Sequence, residues 1–217
     1  MSDIDDRHLP ARKPKEILAR LFLEVTGESP KTVLDVGCAH GRYVSFYARK
    51  TGAQGVGIDV DKDAIEIARK LAEDTSVKFI VADGTDLPSE ITERRFDLIL
   101  LVGSRVSDYG LFSPAKVLEN IDSYRALLTE GGRLILKENT DFSGRIESSI
   151  GWHYKTSAEI DGLLSRDDEI FFFRGLNYFN PKILAMPIIR SAVSFLTRNF
   201  CKFFNRQCSF VIIMRSS

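Results

Sequence analysis

Three aspartates, Asp35, Asp59 and Asp83, each follow a short apolar segment in the amino-terminal part of the chain. Asp35 is followed in the sequence by a turn of small residues, Gly37 to Gly41, and then by a helical pattern. The first backbone N–H groups of a helix are unpaired and can bind a polar ligand. A carboxylate beside them disfavours a pyrophosphate and favours a ligand ammonium group. The spacing therefore predicts a binding site for a ligand that carries an ammonium group.

The position of the second aspartate, Asp59, indicates that the ligand contains a nucleoside. It ends the second predicted strand and lies 22 residues beyond Gly37. An acidic residue about 20 residues after a glycine turn can accept hydrogen bonds from both hydroxyls of a ribose. Asp61 is better interpreted as the N-cap of the following helix.

The segment D-V-G-C-A-H-G, from Asp35 to Gly41, resembles the first motif of class I S-adenosylmethionine-dependent methyltransferases. The usual motif is D/E-x-G-x-G-x-G, and Ala39 replaces its middle glycine. The segment V-A-D-G-T-D-L-P resembles the family segment whose aspartate, here Asp83, contacts the adenine amino group. The resemblance covers roughly residues 31–139 and implies S-adenosyl-L-methionine as the cofactor.

The resemblance also implies which residues bind that cofactor. The glycine turn and its preceding aspartate would hold the methionine part, and the two later aspartates would hold the ribose and the adenine. Backbone after the fourth strand would face the sulfonium. The implied cofactor-binding residues are Asp35, Gly37, Cys38, Ala39, Gly41, Asp59, Val60, Asp83, Gly84, Val102 and Ser104.

A methyl acceptor that loses a proton needs a general base. Three residues in loops predicted at the carboxyl edge of the sheet are candidates for this catalytic role: His153, Asp108 and Tyr109. Each of them also has an ordinary surface or packing interpretation, and the sequence does not choose among them.

Strands and helices alternate five times between residues 31 and 139. This predicts an α/β fold with a doubly wound, mostly parallel sheet and helices on both faces. Two later strands, Ile170 to Phe179 and Cys208 to Met214, would close the family's seven-stranded sheet as an antiparallel hairpin. We expect a single domain over residues 1–217, in which residues 14–139 form the cofactor-binding core and residues 140–217 form a substrate-side region.

The hairpin carries an insert, residues 180–207, where two to five residues are usual. Phenylalanines alternate there with Arg190, Ser194, Arg198, Lys202 and Arg206, which recur every four residues. A basic stripe beside an apolar face suits a peripheral membrane contact. The commoner interpretation is a helix that packs on its own core, on a second copy in a homodimer, or over the substrate as a lid.

The composition excludes several classes of function. The formal net charge is zero, so no global field favours nucleic acid. The three cysteines and three histidines lack metal-site spacing, so we expect no metal. The amino-terminal segment M-S-D-I-D-D-R-H-L-P has no apolar stretch typical of a secretory signal, and no apolar run is long enough for a membrane span. We expect a cytoplasmic protein, with peripheral membrane contact left open.

The sequence favours methyl transfer to a small-molecule, glycan or lipid-linked acceptor. Lys137 to Asn139 with Glu147 to Ser149 faintly resemble protein N-terminal methyltransferases, which is the alternative for the acceptor. A nicotinamide-dependent oxidoreductase is disfavoured, because its G-x-G-x-x-G fingerprint is not present. A non-catalytic cofactor-binding or scaffold subunit would not need all three aspartates.

Overall fold

A computed structural model describes residues 12–27, 29–73, 75–142, 153–174, 180–204 and 206–216. The strands are β1 (Thr32–Val36), β2 (Gln54–Asp59), β3 (Val77–Val81), β4 (Phe96–Val102), β5 (Leu128–Thr140), β6 (Glu169–Phe173) and β7 (Cys208–Arg215). The helices are α1 (Arg12–Thr26), α2 (Arg42–Thr51), α3 (Lys62–Leu71), α4 (Ser89–Thr92), α5 (Pro114–Arg125), α6 (Ser157–Leu163), α7 (Pro181–Ala185) and α8 (Pro187–Phe203).

The seven strands form one sheet in the order β3-β2-β1-β4-β5-β7-β6. The first five strands pair in parallel, and β7 pairs antiparallel with both β5 and β6. The predicted doubly wound sheet with a closing hairpin is confirmed. The strand order reverses between β1 and β4, and open α/β sheets bind ligands at such a reversal, beyond the carboxyl ends of the strands.

The sheet separates two apolar cores, because successive side chains of a strand point to opposite faces. On β1, Leu34 and Val36 belong to the core shared with α5 and α6, whereas Val33 belongs to the core shared with α1 and α2. The central strand β4 contributes to both, with Ile99 and Leu100 fully buried on opposite faces. A strand covered on both faces needs the continuous apolar run that the sequence shows there.

Strand β5 begins before the glycine pair Gly131-Gly132 and not after it, since α5 ends at Arg125 and β5 begins at Leu128. Gly131, at φ +77°, lies in a register shift, where the pairing of β4 with β5 moves from Leu128 to Arg133. Such an irregularity needs a positive φ, which glycine adopts without strain. At the other end, Thr140 is still in the strand because β7 pairs with it.

The predicted insert is helical and covers the outer edge of the sheet. Helix α8 runs beside the edge strand β6, where the Ser194 hydroxyl accepts the backbone N–H of Phe172 at 2.9 Å. Covering an edge strand removes unpaired backbone groups that would otherwise pair with other chains. The short α7 packs against α1. None of the helices in the described part of the chain is both long and apolar enough to cross a bilayer.

The first part of the expected basic stripe of α8, from Arg190 to Arg198, faces the protein. The guanidinium of Arg198 lies over the ring of Phe172, 5.3 Å from its centroid, and Arg190 pairs with Glu169 at 2.8 Å. These arginines therefore face β6, whereas Lys202 is exposed. A four-residue repeat identifies one side of a helix but not which side contacts the sheet.

Candidate functional site

The turn after β1 is held against β2 through its backbone. The N–H groups of Gly37 and Cys38 both donate to the carbonyl oxygen of Ile58, each at 2.9 Å. Gly37, Ala39 and Gly41 have φ angles of +73°, +47° and +66°. Three left-handed residues in five make a compact loop, and Ala39 adopts this conformation despite its Cβ.

Gly41 lies where the turn becomes helix α2, and no larger residue fits there. A Cβ on Gly41 would overlap the ring of Phe79. That ring is 5% exposed and is also in contact range of Gly57, whose added Cβ would be 2.8 Å away. The loop and the helix start therefore approach β2 and β3 closely, and this fixes the position of the turn.

Asp59, at the end of β2, connects the turn to the second strand. Its Oδ2 accepts the backbone N–H of Ala39 at 2.8 Å, and its Oδ1 accepts that of Asp61 at 3.0 Å. Each carboxylate oxygen has a further lone pair, so both can still accept a ribose hydroxyl. Next to it, the side chain of Val60 is 64% exposed and offers an apolar surface.

Asp83 and Gly84 lie in the loop that follows β3. Oδ1 of Asp83 accepts both the backbone N–H and the hydroxyl of Thr85, at 2.8 and 2.9 Å. No described residue donates to Oδ2, so that oxygen can accept from a ligand. The Tyr124 hydroxyl donates to the carbonyl of Gly84 at 2.5 Å. Burial, with the nearby carboxylate of Asp83, raises the pKa of Tyr124, which keeps this hydroxyl a donor.

Asp35 is buried beneath the turn, with 1% of its surface exposed. Its Oδ2 accepts the backbone N–H of Val44, in the first turn of α2, at 3.4 Å. Burial raises the pKa of Tyr43, and the negative charge of Asp35 raises it further. Asp35 therefore stabilises the start of α2 through the positive end of the helix dipole. Its direct contact with a ligand ammonium stays a prediction.

The segment after β4 forms the wall opposite the turn. Ser104 is 2% exposed, and its Oγ would lie 3.5 Å from a Cβ built on Gly37. The half-buried Val102 precedes Gly103, which has φ +61°. A Cβ on Gly103 would meet no heavy atom of the described chain within 4 Å, so this backbone borders open space. The turn and this segment thus face each other at the point where the strand order reverses.

The three catalytic candidates lie close together. The rings of Tyr109 and His153 are 6.3 Å apart at an angle of 64°. Asp108 is 3% exposed, and its Oδ1 accepts the backbone N–H of Gly110 at 2.9 Å. A Cβ on Gly110 would be 3.1 Å from that oxygen and 3.2 Å from the Cβ of His153. Oδ2 of Asp108 is buried and has no hydrogen-bond partner among the described residues.

His153 is paired with a residue that the sequence did not suggest. Its Nε2 lies 2.8 and 2.9 Å from the two carboxylate oxygens of Glu159. Partial burial alone would raise the pKa of Glu159, but hydrogen bonds from Thr156 and His153 outweigh it and lower that pKa. The carboxylate is therefore ionised at neutral pH and only accepts, which places the proton of a neutral imidazole on Nε2. Nδ1 then has a free lone pair.

A buried polar cluster lies beside these candidates. Oε1 of Glu138, which is 6% exposed, accepts the Ser107 hydroxyl at 2.8 Å. Burial raises the pKa of Glu138, while the ammonium of Lys155 opposes that shift. Lys155 itself is 1% exposed, and its Nζ lies over the ring of Tyr109 at 5.4 Å. A buried carboxylate and a buried ammonium depend on each other, because either alone would be an uncompensated charge.

A concave region lies away from these residues, at the opposite, amino-terminal edge of the sheet. It is a groove of about 230 Å³ that includes Asp97 and Thr129. The carboxylate of Asp97 already accepts the backbone N–H groups of Lys31 and Thr32, at 2.8 and 3.0 Å, and the Thr129 hydroxyl at 2.9 Å. These bonds connect β1, β4 and β5, so we assign Asp97 a structural role.

A family model described as a methyltransferase domain matches residues 28–159, which is more than half of the 217 residues. The chain belongs to the methyltransferase domain family. The predicted resemblance is confirmed, and S-adenosylmethionine is the cofactor of this family. The matched range contains the turn, the strand-end aspartates and all three catalytic candidates.

Curated relatives match part of the chain. The ribosomal protein L11 methyltransferase of Cupriavidus necator is 36% identical over 124 residues, which are 57% of this chain and 37% of that protein. A fatty-acid O-methyltransferase of Mycolicibacterium smegmatis is 36% identical over 75 residues, 34% of this chain and 27% of the relative. The chain spans only 36% to 50% of the length of the L11 methyltransferases that it matches.

Solved structures share the fold over nearly the whole chain. The plantazolicin methyltransferase BpumL in complex with SAH superposes with a TM-score of 0.63 at 18% identity, covering 93% of this chain and 84% of that one. The N-methyltransferase NodS from Bradyrhizobium japonicum WM9, also with S-adenosylhomocysteine, gives 0.63 at 17% identity, covering 100% and 94%. The methyltransferase fold therefore includes the carboxyl-terminal hairpin.

The residues of this methyltransferase domain fit the family's cofactor. Asp59 supplies acceptors for a diol, and the unused Oδ2 of Asp83 supplies one for an amino group. The exposed side chain of Val60, between them along the carboxyl edge, supplies an apolar contact for a base. Diol, base and amino group are the recognition features of an adenosine. The open space at Gly103 leaves room beside the turn.

Sequence reasoning missed Glu159, Glu138 and Lys155. The T-x-x-E spacing from Thr156 to Glu159 marks a capping box, and it would have identified Glu159 as a helix-start residue. It would not have shown the pairing with His153. Glu138 and Lys155 are separated by residues 143–152, which lie outside the described part of the chain, and no local pattern links them.

Proposed function

We propose that the chain transfers a methyl group from S-adenosylmethionine to a small-molecule, glycan or lipid-linked acceptor at the carboxyl edge of the sheet. The observation that carries the proposal is the arrangement of Asp59, Val60 and Asp83 at two successive strand ends beside the glycine turn. It matches an adenosine in acceptors and apolar surface. We further propose that the other predicted cofactor-binding residues act through backbone or packing, with Cys38 and Ala39 shaping the turn.

When bound, S-adenosylmethionine supplies an activated methyl group, which would be transferred to a lone pair of the acceptor while the electrons of the broken carbon–sulfur bond stay on sulfur. The chain's own part is to hold the reactants in line and to exclude competing water. We assign the adenosine to Asp59 and Asp83, and the turn positions the remainder. Gly103 and Ser104 would border the reacting centre from the opposite wall.

For an acceptor that must lose a proton, we propose Nδ1 of His153 as the base. Glu159 positions the ring and stabilises the imidazolium that forms, since its carboxylate is ionised and bonded to Nε2. Tyr109 packs near the ring, and Asp108 braces the loop through Gly110. His153 is therefore the catalytic candidate, and Glu159 is a positioning residue.

A variant series tests the base. His153→Ala should lower kcat by about 10²–10⁴ and leave the affinity for S-adenosylhomocysteine unchanged. Glu159→Gln should lower kcat and alter its pH profile, because an amide cannot stabilise an imidazolium in the same way. Ser113→Ala is the matched control, since it removes the side-chain cap of a different helix, α5, where the Ser113 hydroxyl accepts the backbone N–H of Lys116. Unchanged kcat in His153→Ala would transfer the role to Asp108 or Tyr109.

A protein acceptor is the second candidate, favoured by the name of the L11 methyltransferases. Their match covers 57% of this chain and 37% of the relative's own length, so it carries little about the acceptor. Incubation with methyl-labelled cofactor and separated lipid, small-molecule and protein fractions distinguishes the classes. Label in lipid or small molecules is the expected result. Label in protein alone would overturn the proposed acceptor but not methyl transfer, and binding without transfer to any fraction would support a scaffold subunit. Peripheral contact through residues 180–207 and a homodimer are separate proposals about partners.

A further inference from the structure

Helix α8 has an inverted amphipathic pattern. Its polar side faces the protein, where Ser194 accepts from Phe172 of β6 and Arg198 covers the ring of the same residue. Cys201, on this side, is fully buried. In most surface helices of soluble domains the apolar stripe faces the core and the polar stripe faces water. The contacts of α8 with its own domain are therefore already made by the side that would normally be exposed.

The opposite side of α8 carries large apolar side chains into solvent. Ile188 is 85% exposed, Phe203 is 81% exposed and Phe195 is 68% exposed. We call this side, together with the end of the helix, the phenylalanine face; its members are Ile188, Phe195, Leu196, Phe200, Phe203 and Phe204. A contiguous exposed apolar surface of this kind marks a docking surface more often than an accident of folding.

One polar residue, Asn199, lies within the phenylalanine face, and its side-chain amide already donates one hydrogen bond within the helix. The side-chain amide of Asn199 donates to the carbonyl oxygen of Phe195 at 2.7 Å. Burying this amide in an apolar contact would therefore cost less than burying an amide whose donor is unpaired. This hydrogen bond lowers the free-energy cost of removing the phenylalanine face from water.

The charges around this face have one sign. Residues 170–217 contain seven lysines and arginines and no aspartate or glutamate. Lys182 in α7, Lys202 near the end of α8 and Arg206 just after it are all exposed. Arg190 and Arg198 contribute less, because they face β6. An apolar helix face flanked by exposed cations complements an anionic bilayer surface, whose headgroups attract Lys and Arg while the acyl region accepts aromatic side chains.

We propose that the phenylalanine face docks on the surface of an anionic lipid bilayer, with α8 lying in the plane of the headgroups. Its phenylalanines would enter the acyl boundary, and Lys182, Lys202 and Arg206 would contact phosphates. A second copy of the chain fits less well, because face-to-face pairing brings these cations together and residues 170–217 offer no carboxylate to pair with them. The proposal does not depend on methyl transfer, since docking is measured without cofactor or acceptor.

Flotation of the whole chain with vesicles tests the proposal. The protein should float with vesicles that contain phosphatidylglycerol at low salt, less at high salt, and little with vesicles of phosphatidylcholine alone. Ile188→Ser/Phe203→Ser should lower the partition coefficient more than about 100-fold, because two side chains no longer enter the bilayer. Leu111→Ser/Leu118→Ser is the matched control, since these apolar side chains are exposed elsewhere on the domain.

Two further double variants test whether docking requires the positive charges beside the phenylalanine face. Lys202→Glu/Arg206→Glu should lower partition at least about 30-fold, since each basic residue near an anionic surface contributes about 1 kcal/mol. Lys50→Glu/Lys70→Glu changes the net charge equally at exposed sites on other helices and should leave partition unchanged. An equal loss in both pairs would show non-specific attraction and overturn the proposal.

Sedimentation velocity tests the alternative that the phenylalanine face binds a second copy of the chain. A wild-type dimer that Ile188→Ser/Phe203→Ser converts to a monomer, with no flotation at low salt, would assign the phenylalanine face to a second copy and overturn the lipid proposal. Failure of flotation by a monomer would overturn it as well. Circular dichroism of each variant confirms that it is folded, which is expected because the substituted side chains are exposed.

Discussion

Gly41→Ala tests whether the close approach of the glycine turn to β3 fixes the site. Gly41 and Gly52 flank the same helix, α2, and both have left-handed φ angles, +66° and +76°. A Cβ on Gly41 would overlap the ring of Phe79, whereas a Cβ on Gly52 would meet nothing in the described chain within 4 Å. Gly52→Ala is therefore a control with the same backbone strain and no steric overlap.

The two variants should differ in how much free energy of unfolding they lose. The left-handed conformation destabilises a residue with a Cβ by about 1–2 kcal/mol. Alanine also reduces the conformational freedom of the unfolded chain, which stabilises the folded protein by about 0.4–1 kcal/mol. Gly52→Ala should thus lose about 1 kcal/mol. In Gly41→Ala the ring of Phe79 must also move, although it is buried and in close contact with Gly57. Overpacking of this kind adds about 1–3 kcal/mol, for a total of about 2–4 kcal/mol.

Urea unfolding measures both losses, with the m-value as a check that the unfolding transition is unchanged. Titration with S-adenosylhomocysteine should show weaker binding in Gly41→Ala and unchanged binding in Gly52→Ala, since Gly52 lies at the far end of the helix. Equal destabilisation by the two substitutions would refute the reasoning, because only backbone strain would then matter at Gly41.

Two further predictions concern the acceptor side. Lys155→Met should destabilise the fold by about 1–3 kcal/mol, because it removes the ammonium whose charge opposes the cost of burying the Glu138 carboxylate; the double variant with Glu138→Gln should recover most of that loss in urea unfolding, and no recovery would show that the two charges are not coupled. The lowered pKa of Glu159 stabilises the fold above its unfolded value of about 4.3, and this contribution is lost as the pH falls through the folded value. Thermal unfolding of Glu159→Gln should therefore depend less on pH below about 5 than that of the wild type, whereas parallel curves would contradict the lowered pKa of Glu159.

The cofactor half of the fold could be predicted from the sequence because its signals are local. Asp35 and Asp59 lie within the last two residues of β1 and β2, and Asp83 lies two residues beyond β3. The glycines of the turn occupy left-handed positions that few other residues tolerate. Each of these features needs only a few neighbouring residues to be recognised. The parallel order of the strands then follows from the alternation of strands and helices.

The acceptor half depends on contacts between distant residues. The charge interaction of Lys155 with the buried carboxyl group of Glu138 joins residues far apart in the sequence, and the capping box of α6 does not show that Glu159 also bonds His153. The same limit explains the orientation of α8. A four-residue repeat of polar side chains predicts an amphipathic helix, but only the contact of Ser194 with the edge strand shows which side faces the sheet.

The most direct test of the central claim is calorimetric titration of the whole chain with S-adenosylhomocysteine, with NAD in parallel. Asp59, Val60 and Asp83 predict micromolar binding of S-adenosylhomocysteine, about −8 kcal/mol. The buried carboxylate of Asp35 at the start of α2 disfavours the pyrophosphate of NAD, so we expect no binding of NAD. Asp59→Ala should weaken the affinity, since it removes the acceptors for the ribose and frees the N–H of Ala39. Binding of NAD without binding of S-adenosylhomocysteine would contradict the assignment of this site.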